Sequence, residues 1–500
     1  MTIHIVTMSD FLGRLHPFRP FMAGEQAPSE RGGIARAATI IKRLQQEGPT
    51  LVIPLVAGLD LMGPGLELLG GETEMTALDM AGFVAAVPGI HEFESGPDLA
   101  GAVLGSVPFS ILAANLEPAH SNLAGTVTAH AVFNSGRTRV GVFGLAMAGP
   151  GARLAPDPLF KTRDLIETAQ EQVAILRATG CEVIVALTHI GTPSDCQVAA
   201  RVSGIHAIFG GHSHTPTSRP EIIGSPDGWQ TLVTQAGTAG ASLGHLSLTL
   251  RDGRVDPEKT KWTLVPIDQN VEPDPNVEMY LDRAEAKVQT ALTCVVGELA
   301  VDADGRRGIV SEGESSLANF VADALRQRAG SDVALISASQ LAGDAFWTAG
   351  SIDLAAVYRI LPFGGALCVF DLTGRDILRV LELSASALTA PDRLTNPLEI
   401  RRTSLLHCSG LRVVYRRDGS LGDVVVDSGN GFEPVDPSAS YRVAGSSFFT
   451  HGGDGYTLLA DRPFRAIGLS CTQALADIVR SSVNAIRPSV DGRLQIIGDR

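Results

Sequence analysis

Ala207-Ile208-Phe209-Gly210-Gly211-His212-Ser213-His214-Thr215 is the stretch on which the reading of the fold turns. A short apolar run ends in two glycines and passes at once into two histidines. Open α/β sheets present their ligands in this way, with polar side chains gathered where a strand stops. The pattern recurs along the first half of the chain. Asp10 follows an apolar run over residues 3–8, His91 sits in Gly89-Ile90-His91-Glu92-Phe93-Glu94, and His189 closes a run over 182–189. Imidazoles and a carboxylate converging from four strand ends can ligate a first-row transition metal.

Outward from these points, strand-like runs at 3–8, 51–57, 109–115, 140–145, 182–189, 207–210 and 232–235 alternate with helical spacing over 33–44 and 165–176. Alternation of this kind predicts a layered α/β domain over residues 1–265. A Pro- and Asp-rich stretch at 266–275 breaks it, and 277–293 reads as a connecting helix, so 266–294 forms a linker. A second domain over 295–500 opens with a helix at 316–328 and a strand at 333–336. It continues with a strand at 367–372, a helix at 375–388 and a β-rich region at 411–447.

With 500 residues the chain is too long for one ordinary core, and 44% hydrophobic residues give each domain enough to bury. A formal charge of −14 argues against nucleic acid or an anionic membrane as partner, since both select basic patches. Cys181, Cys196, Cys294, Cys368, Cys408 and Cys471 are scattered without a CxxC pair and read as reduced thiols. Met1-Thr2-Ile3-His4 enters a strand directly, without a secretory n-region, so the chain as written is expected to be cytoplasmic, or periplasmic if a signal preceded this numbering.

At the polar strand ends the chain resembles the bacterial 5′-nucleotidase and UDP-sugar hydrolase family. Asp10-Phe11-Leu12-Gly13 is similar to its Asp-x-His-Gly opening, Gly89–Phe93 to Gly-Asn-His-Glu-Phe, and Thr188-His189-Ile190-Gly191 to Ser-His-x-Gly; Gly210–Thr215 reads Gly-Gly-His-Ser-His-Thr outright. The resemblance implies a four-layer α/β/β/α calcineurin-like metallophosphoesterase domain followed by a smaller α+β 5′-nucleotidase C-terminal domain. It also implies a pair of metal ions. Carried over by position, the ligands fall on Asp10, Leu12, Leu59, Ile90, His189, His212 and His214, of which Leu12, Leu59 and Ile90 cannot ligate. Asp60 lies beside the bridging position, but Gly63 aligns without a gap and keeps Leu59 in register. Two dications about 4 Å apart repel by on the order of 17 kcal/mol at an effective dielectric near 20, and a bridging carboxylate offsets much of that. The expectation is therefore at most one divalent transition ion, zinc, manganese or iron, or none. The resemblance makes His91 a general acid, with Glu94 in place of the family's aspartate partner.

In the second domain the resemblance implies a ring slot between Phe363 and Phe448, with Asp454 in the substrate loop Gly452–Tyr456. The family's Gly-Gly-Ile-Arg segment is replaced by Ser337–Asp344, and no arginine occurs between Arg328 and Arg359. A phosphate would lack its bidentate clamp there. Taken together, the sequence points to a family member that has lost two-metal hydrolysis. It would bind a planar small molecule, or a protein partner, between its domains. The alternative is a hydrolase using one metal or none on another ester.

Overall fold

The computed structural model describes residues 2–19, 29–47, 52–61, 64–93, 97–105, 107–147, 159–341, 344–362, 365–391, 399–460 and 462–498. It divides into two compact units, one running to Val288 and the other from Gln289 to the C-terminal end, a division that falls within the helix Pro275–Leu292.

The first unit holds two sheets. In one, Thr2–Ser9 lies between Ser242–Arg251, its antiparallel neighbour, and Val52–Ala57, which is parallel to it; Ala85–Val87 and Ser110–Ile111 continue the parallel run. In the other, Gln230–Gln235, Ala207–Gly210, Val183–His189 and Thr138–Ala146 are successive parallel neighbours, with Glu221–Gly224 and His130–Ser135 antiparallel at the edges. Every residue of Val52–Ala57, Val183–His189 and Ala207–Gly210 is buried. Strands covered on both faces read in just this way, as unbroken apolar runs. Val52–Ala57 and Ala85–Val87 pack against Val183–His189 across the two sheets, the helix Ile34–Glu47 covers the first sheet, and Leu165–Ala178 and Thr192–Arg201 cover the second. That is the α/β/β/α layering expected. Asp164 starts one of these helices by accepting from the Ile166 and Glu167 amides.

One predicted strand is shorter than its apolar pattern. Only Ser110–Ile111 of residues 109–115 pairs as a strand. Beyond it the Leu112, Ala113 and Ala114 amides turn to three different acceptors, the carbonyls of Ala86, Thr128 and Gly144.

The second unit is built on a five-stranded sheet in the order Leu406–Ser409, Val333–Ser337, Ser440–Ser446, Ala366–Thr373, Phe464–Ser470. The helix Ser316–Ala329 packs on it, capped by Ser315 at one end and by Gly330 in the left-handed conformation at the other. A four-stranded sheet of Phe432–Pro434, Leu421–Asp427, Leu411–Arg416 and Leu494–Ile497 completes the unit. Tyr415, Phe370, Phe449 and Tyr456 anchor the shared core.

Candidate metal centre

Asp10, the turn Gly58–Asp60, the turn Gly89–His91, His189, His212 and His214 all lie at or just beyond the carboxyl ends of parallel strands of the first unit. Asp10 is fully buried, and its Oδ1 accepts the His212 amide at 2.6 Å. His189, equally buried, lies between two carboxylates: Nδ1 is 3.2 Å from Asp10 Oδ1 and Nε2 is 3.1 Å from Asp60 Oδ2. His214, about half exposed, brings Nε2 within 3.9 Å of Asp10 Oδ2. The His212 ring stands edge-on to His189, centroids 5.2 Å apart.

Asp60 is the residue whose place the sequence left open. Leu59 does occupy the aligned position and is wholly buried, its amide bonded to the Val87 carbonyl. The next residue nevertheless supplies the carboxylate. Gly58 and Asp60 both have positive φ, 100° and 48°, and these left-handed residues break the strand alternation that alignment assumes. Oδ1 of Asp60 accepts the Ile90 amide at 2.8 Å, with the His91 amide at 3.5 Å, while Oδ2 faces His189. Leu12 and Ile90 remain aliphatic, as read. Asp10, Leu12, Asp60, His212 and His214 are five of the nine non-glycine residues with positive φ among those described.

The electrostatics follow from two carboxylates closing on one imidazole. Burial alone would lower the His189 pKa, but Asp60 and Asp10 outweigh it and raise the value to about 10. Burial would raise the Asp60 pKa, and the His189 charge with its hydrogen bond holds it below the usual carboxylate range instead. His212 is pushed down, first by burial and then by the neighbouring His189 charge. Behind the cluster, burial lifts Asp195 to about 7 although Thr188 Oγ1 donates to it at 2.6 Å.

The residues present could hold a metal cation. Asp10, Asp60 and His214 each offer a ligand atom, all within 4.8 Å of one another. Asp10 Oδ2 is buried without a partner in hydrogen-bond geometry, as fits a group that takes another ligand. The backbone also makes room. A Cβ on Gly58 would lie 2.2 Å from His189 Nδ1, one on Gly211 2.7 Å from Asp10 Oδ1, and one on Gly89 1.8 Å from Asp60 Oδ1. Sequence reasoning named Asp60 without assigning it a place and gave no role to Glu92, although Glu92 stands within the motif quoted above. Glu94 lies outside the described residues.

In the second unit Asp454 is fully buried, with positive φ, and both its oxygens are engaged. Ser339 Oγ donates to one, and Arg401 Nη2 to the other at 2.9 Å. It is turned inward, and does not stand as a free acceptor for a diol. The positive charge absent from 337–344 arrives from Arg401, far away in sequence. Gln340 is buried against Ser337, and Asp344 accepts the Arg307 amide at 2.7 Å. Phe448 is 38% exposed with its ring laid over Gly453; Phe363 lies outside the described residues.

Two layered sheets with polar strand ends, followed by a unit of this topology, define a calcineurin-like phosphoesterase joined to a nucleotidase C-terminal domain. Residues 295–461 match the family model of the 5′-nucleotidase C-terminal domain. The chain is 26% identical over 503 residues to a snake venom 5′-nucleotidase from Naja atra, covering 93% of this chain and 92% of that one. It is 27% identical over 469 residues to the trifunctional nucleotide phosphoesterase protein YfkN of Bacillus subtilis, covering 85% of this chain but 31% of that longer protein. The crystal structure of a 5′-nucleotidase precursor from Thermus thermophilus superposes over 100% of both chains at 28% identity and a TM-score of 0.64. Residues 295–461 thus belong to the 5′-nucleotidase C-terminal domain family, and along its length the chain is similar in sequence and fold to 5′-nucleotidases. No helix among the described residues is long and apolar enough to cross a membrane.

Proposed function

We propose that this family member is a phosphoester hydrolase working with a single divalent cation held by Asp10, Asp60 and His214. The observation that carries this reading is the Asp60 carboxylate, which one residue on from Leu59 stands against His189 and within ligand reach of Asp10 and His214. When bound, the cation would act as a Lewis acid on the phosphoryl group. Asp60 and Asp10 hold the charge that balances it, and His189 keeps the two carboxylates apart. Leu12 and Ile90 deny a second ion two of its ligands, so one equivalent is expected rather than two. His91, half-buried with its amide beside Asp60, is proposed to give a proton to the alkoxide that departs as water attacks phosphorus.

The second unit is proposed to bind a planar ring on the exposed face of Phe448; adenosine should lose about 2- to 10-fold in affinity on Phe448→Ala. Elemental analysis after reconstitution with manganese or zinc, beside release of phosphate from nucleoside monophosphates and simple aryl phosphates, tests the reading. One equivalent and a hydrolysis abolished by Asp60→Asn are expected. Two equivalents would restore a two-ion centre. No bound metal and no turnover would favour a silent relative, the reading to which Leu12 and Ile90 lend weight.

A further inference from the structure

Resting on the single-ion reading, we infer that Glu92 is a positioning residue for the centre: its carboxylate locks the loop that carries Asp60 to the loop that carries His91. Glu92 is 2% exposed, and among the described residues its two oxygens take backbone rather than side-chain donors. Oε1 accepts the Leu61 amide at 2.5 Å, and Oε2 accepts the Gly89 amide at 2.6 Å. Leu61 follows Asp60 after the strand Val52–Ala57, and Gly89 precedes His91 after the strand Ala85–Val87. One buried carboxylate therefore spans two strand ends.

The clasp is reciprocal. From the first loop Asp60 reaches across to accept the Ile90 and His91 amides, and from the second Glu92 reaches back to accept those of Leu61 and Gly89. Four backbone N–H groups that would otherwise be buried without acceptors are thereby satisfied by two carboxylates. The approach is so close that position 89 has no room for a side chain, with Asp60 Oδ1 at 1.8 Å from where a Cβ would stand. Asp60 is attached to the unit on both sides of this clasp, and Oδ2 is left directed at His189. Were Glu92 only a loop filler, an apolar side chain would fill the space at less cost than a carboxyl group buried without a side-chain cation. What a carboxylate adds is a fixed separation between the two loops, and so a fixed place for the Asp60 oxygen that faces the centre.

The experiment is equilibrium binding of cobalt(II) to the full chain by competition with a chromophoric chelator, with the cobalt absorption spectrum recorded alongside. Glu92→Gln keeps the shape but turns an amide NH2 against one of the two backbone donors, and should weaken cobalt(II) binding about 10- to 100-fold, the usual cost of a lost outer-shell partner. It should also change the spectrum of the bound ion. Glu92→Asp, too short to reach both amides, should fall between Gln and the native protein. Leu176→Ala, destabilised in the same unit but remote from both loops, should bind cobalt(II) with native affinity and spectrum. Native affinity and spectrum in Glu92→Gln, or an equal loss in Leu176→Ala, would overturn the inference while leaving the single-ion reading intact. If the native protein binds no cobalt(II), or binds it as well after Asp60→Asn, the single-ion reading itself fails.

Discussion

Replacing Gly89 by alanine drives a methyl group into the Asp60 carboxylate. An ideal Cβ there would stand 1.8 Å from Oδ1, 2.2 Å from Cγ and 2.9 Å from the Cα of Asp60. The last contact is with backbone, so no rotamer of Asp60 relieves it, and the two loops must part. Two costs then add. Overpacking of a filled interior costs about 1–3 kcal/mol, and the Ile90 amide, bonded at 2.8 Å to Oδ1, loses a charged acceptor worth about 1.5–3 kcal/mol. The sum, about 4 kcal/mol, is a large share of an ordinary domain's stability and corresponds to a fall of about 10 °C in Tm. Urea and thermal unfolding of the native protein and of Gly89→Ala, with and without manganese, measure it. Gly224→Ala, where nothing lies within 4 Å of the added carbon, serves as the comparison and should stay within about 0.5 kcal/mol. Gly89→Ala with native stability and native manganese binding would refute the clasp between the two loops.

Two further outcomes follow from buried groups elsewhere. Burial holds His407 at a pKa of about 4, with one ring nitrogen 2.8 Å from the Val310 carbonyl. The unfolded chain takes up that proton near pH 6.5 and the folded one only near 4, so stability falls as pH drops through that window, by about 3 kcal/mol, and levels off below it; urea midpoints at pH 7 and 5 should converge in His407→Leu. Arg401→Ala leaves Asp454 buried opposite Ser339 alone and should cost about 2–3 kcal/mol, the arginine's partial exposure tempering the loss. Asp454→Asn in the same chain should return part of it, and strictly additive losses in the double variant would contradict a direct pair.

The layering was legible because its strands are buried on both faces. Val52–Ala57 and Ala207–Gly210 need no alternation to be recognised, and His212 and His214 after the second of them mark the ligand end of its sheet. Residues 109–115 read as a longer strand than the two paired residues because an apolar run reports burial, and these amides are satisfied by scattered carbonyls rather than by one partner strand. Asp60 was named but left without a place for a different reason. Positional comparison presumes that neighbouring residues point to opposite sides, and the left-handed turn at 58–60 suspends that rule. Arg401 meets Asp454 across 53 residues, a closure that no local pattern encodes. Glu92 was visible as a carboxylate between Ile90 and Phe93, but its acceptance of two backbone amides has no signature in sequence.

The five left-handed residues around Asp10 and His214 bear on how this protein would respond to stabilisation by design. Each such conformation costs of the order of 1 kcal/mol or more for a residue that carries a Cβ. A procedure that scores only the folded chain would find its cheapest gains there, offering glycine at 12, 60, 212 and 214 and relaxing the turns. The hardier protein so obtained would have surrendered the carboxylate and imidazoles that give the fold its chemistry. Residues 10–12, 58–60, 89–92 and 210–214 are therefore the segments to hold fixed in any such effort, and the exposed loops remote from them are where thermal tolerance can be gained without loss.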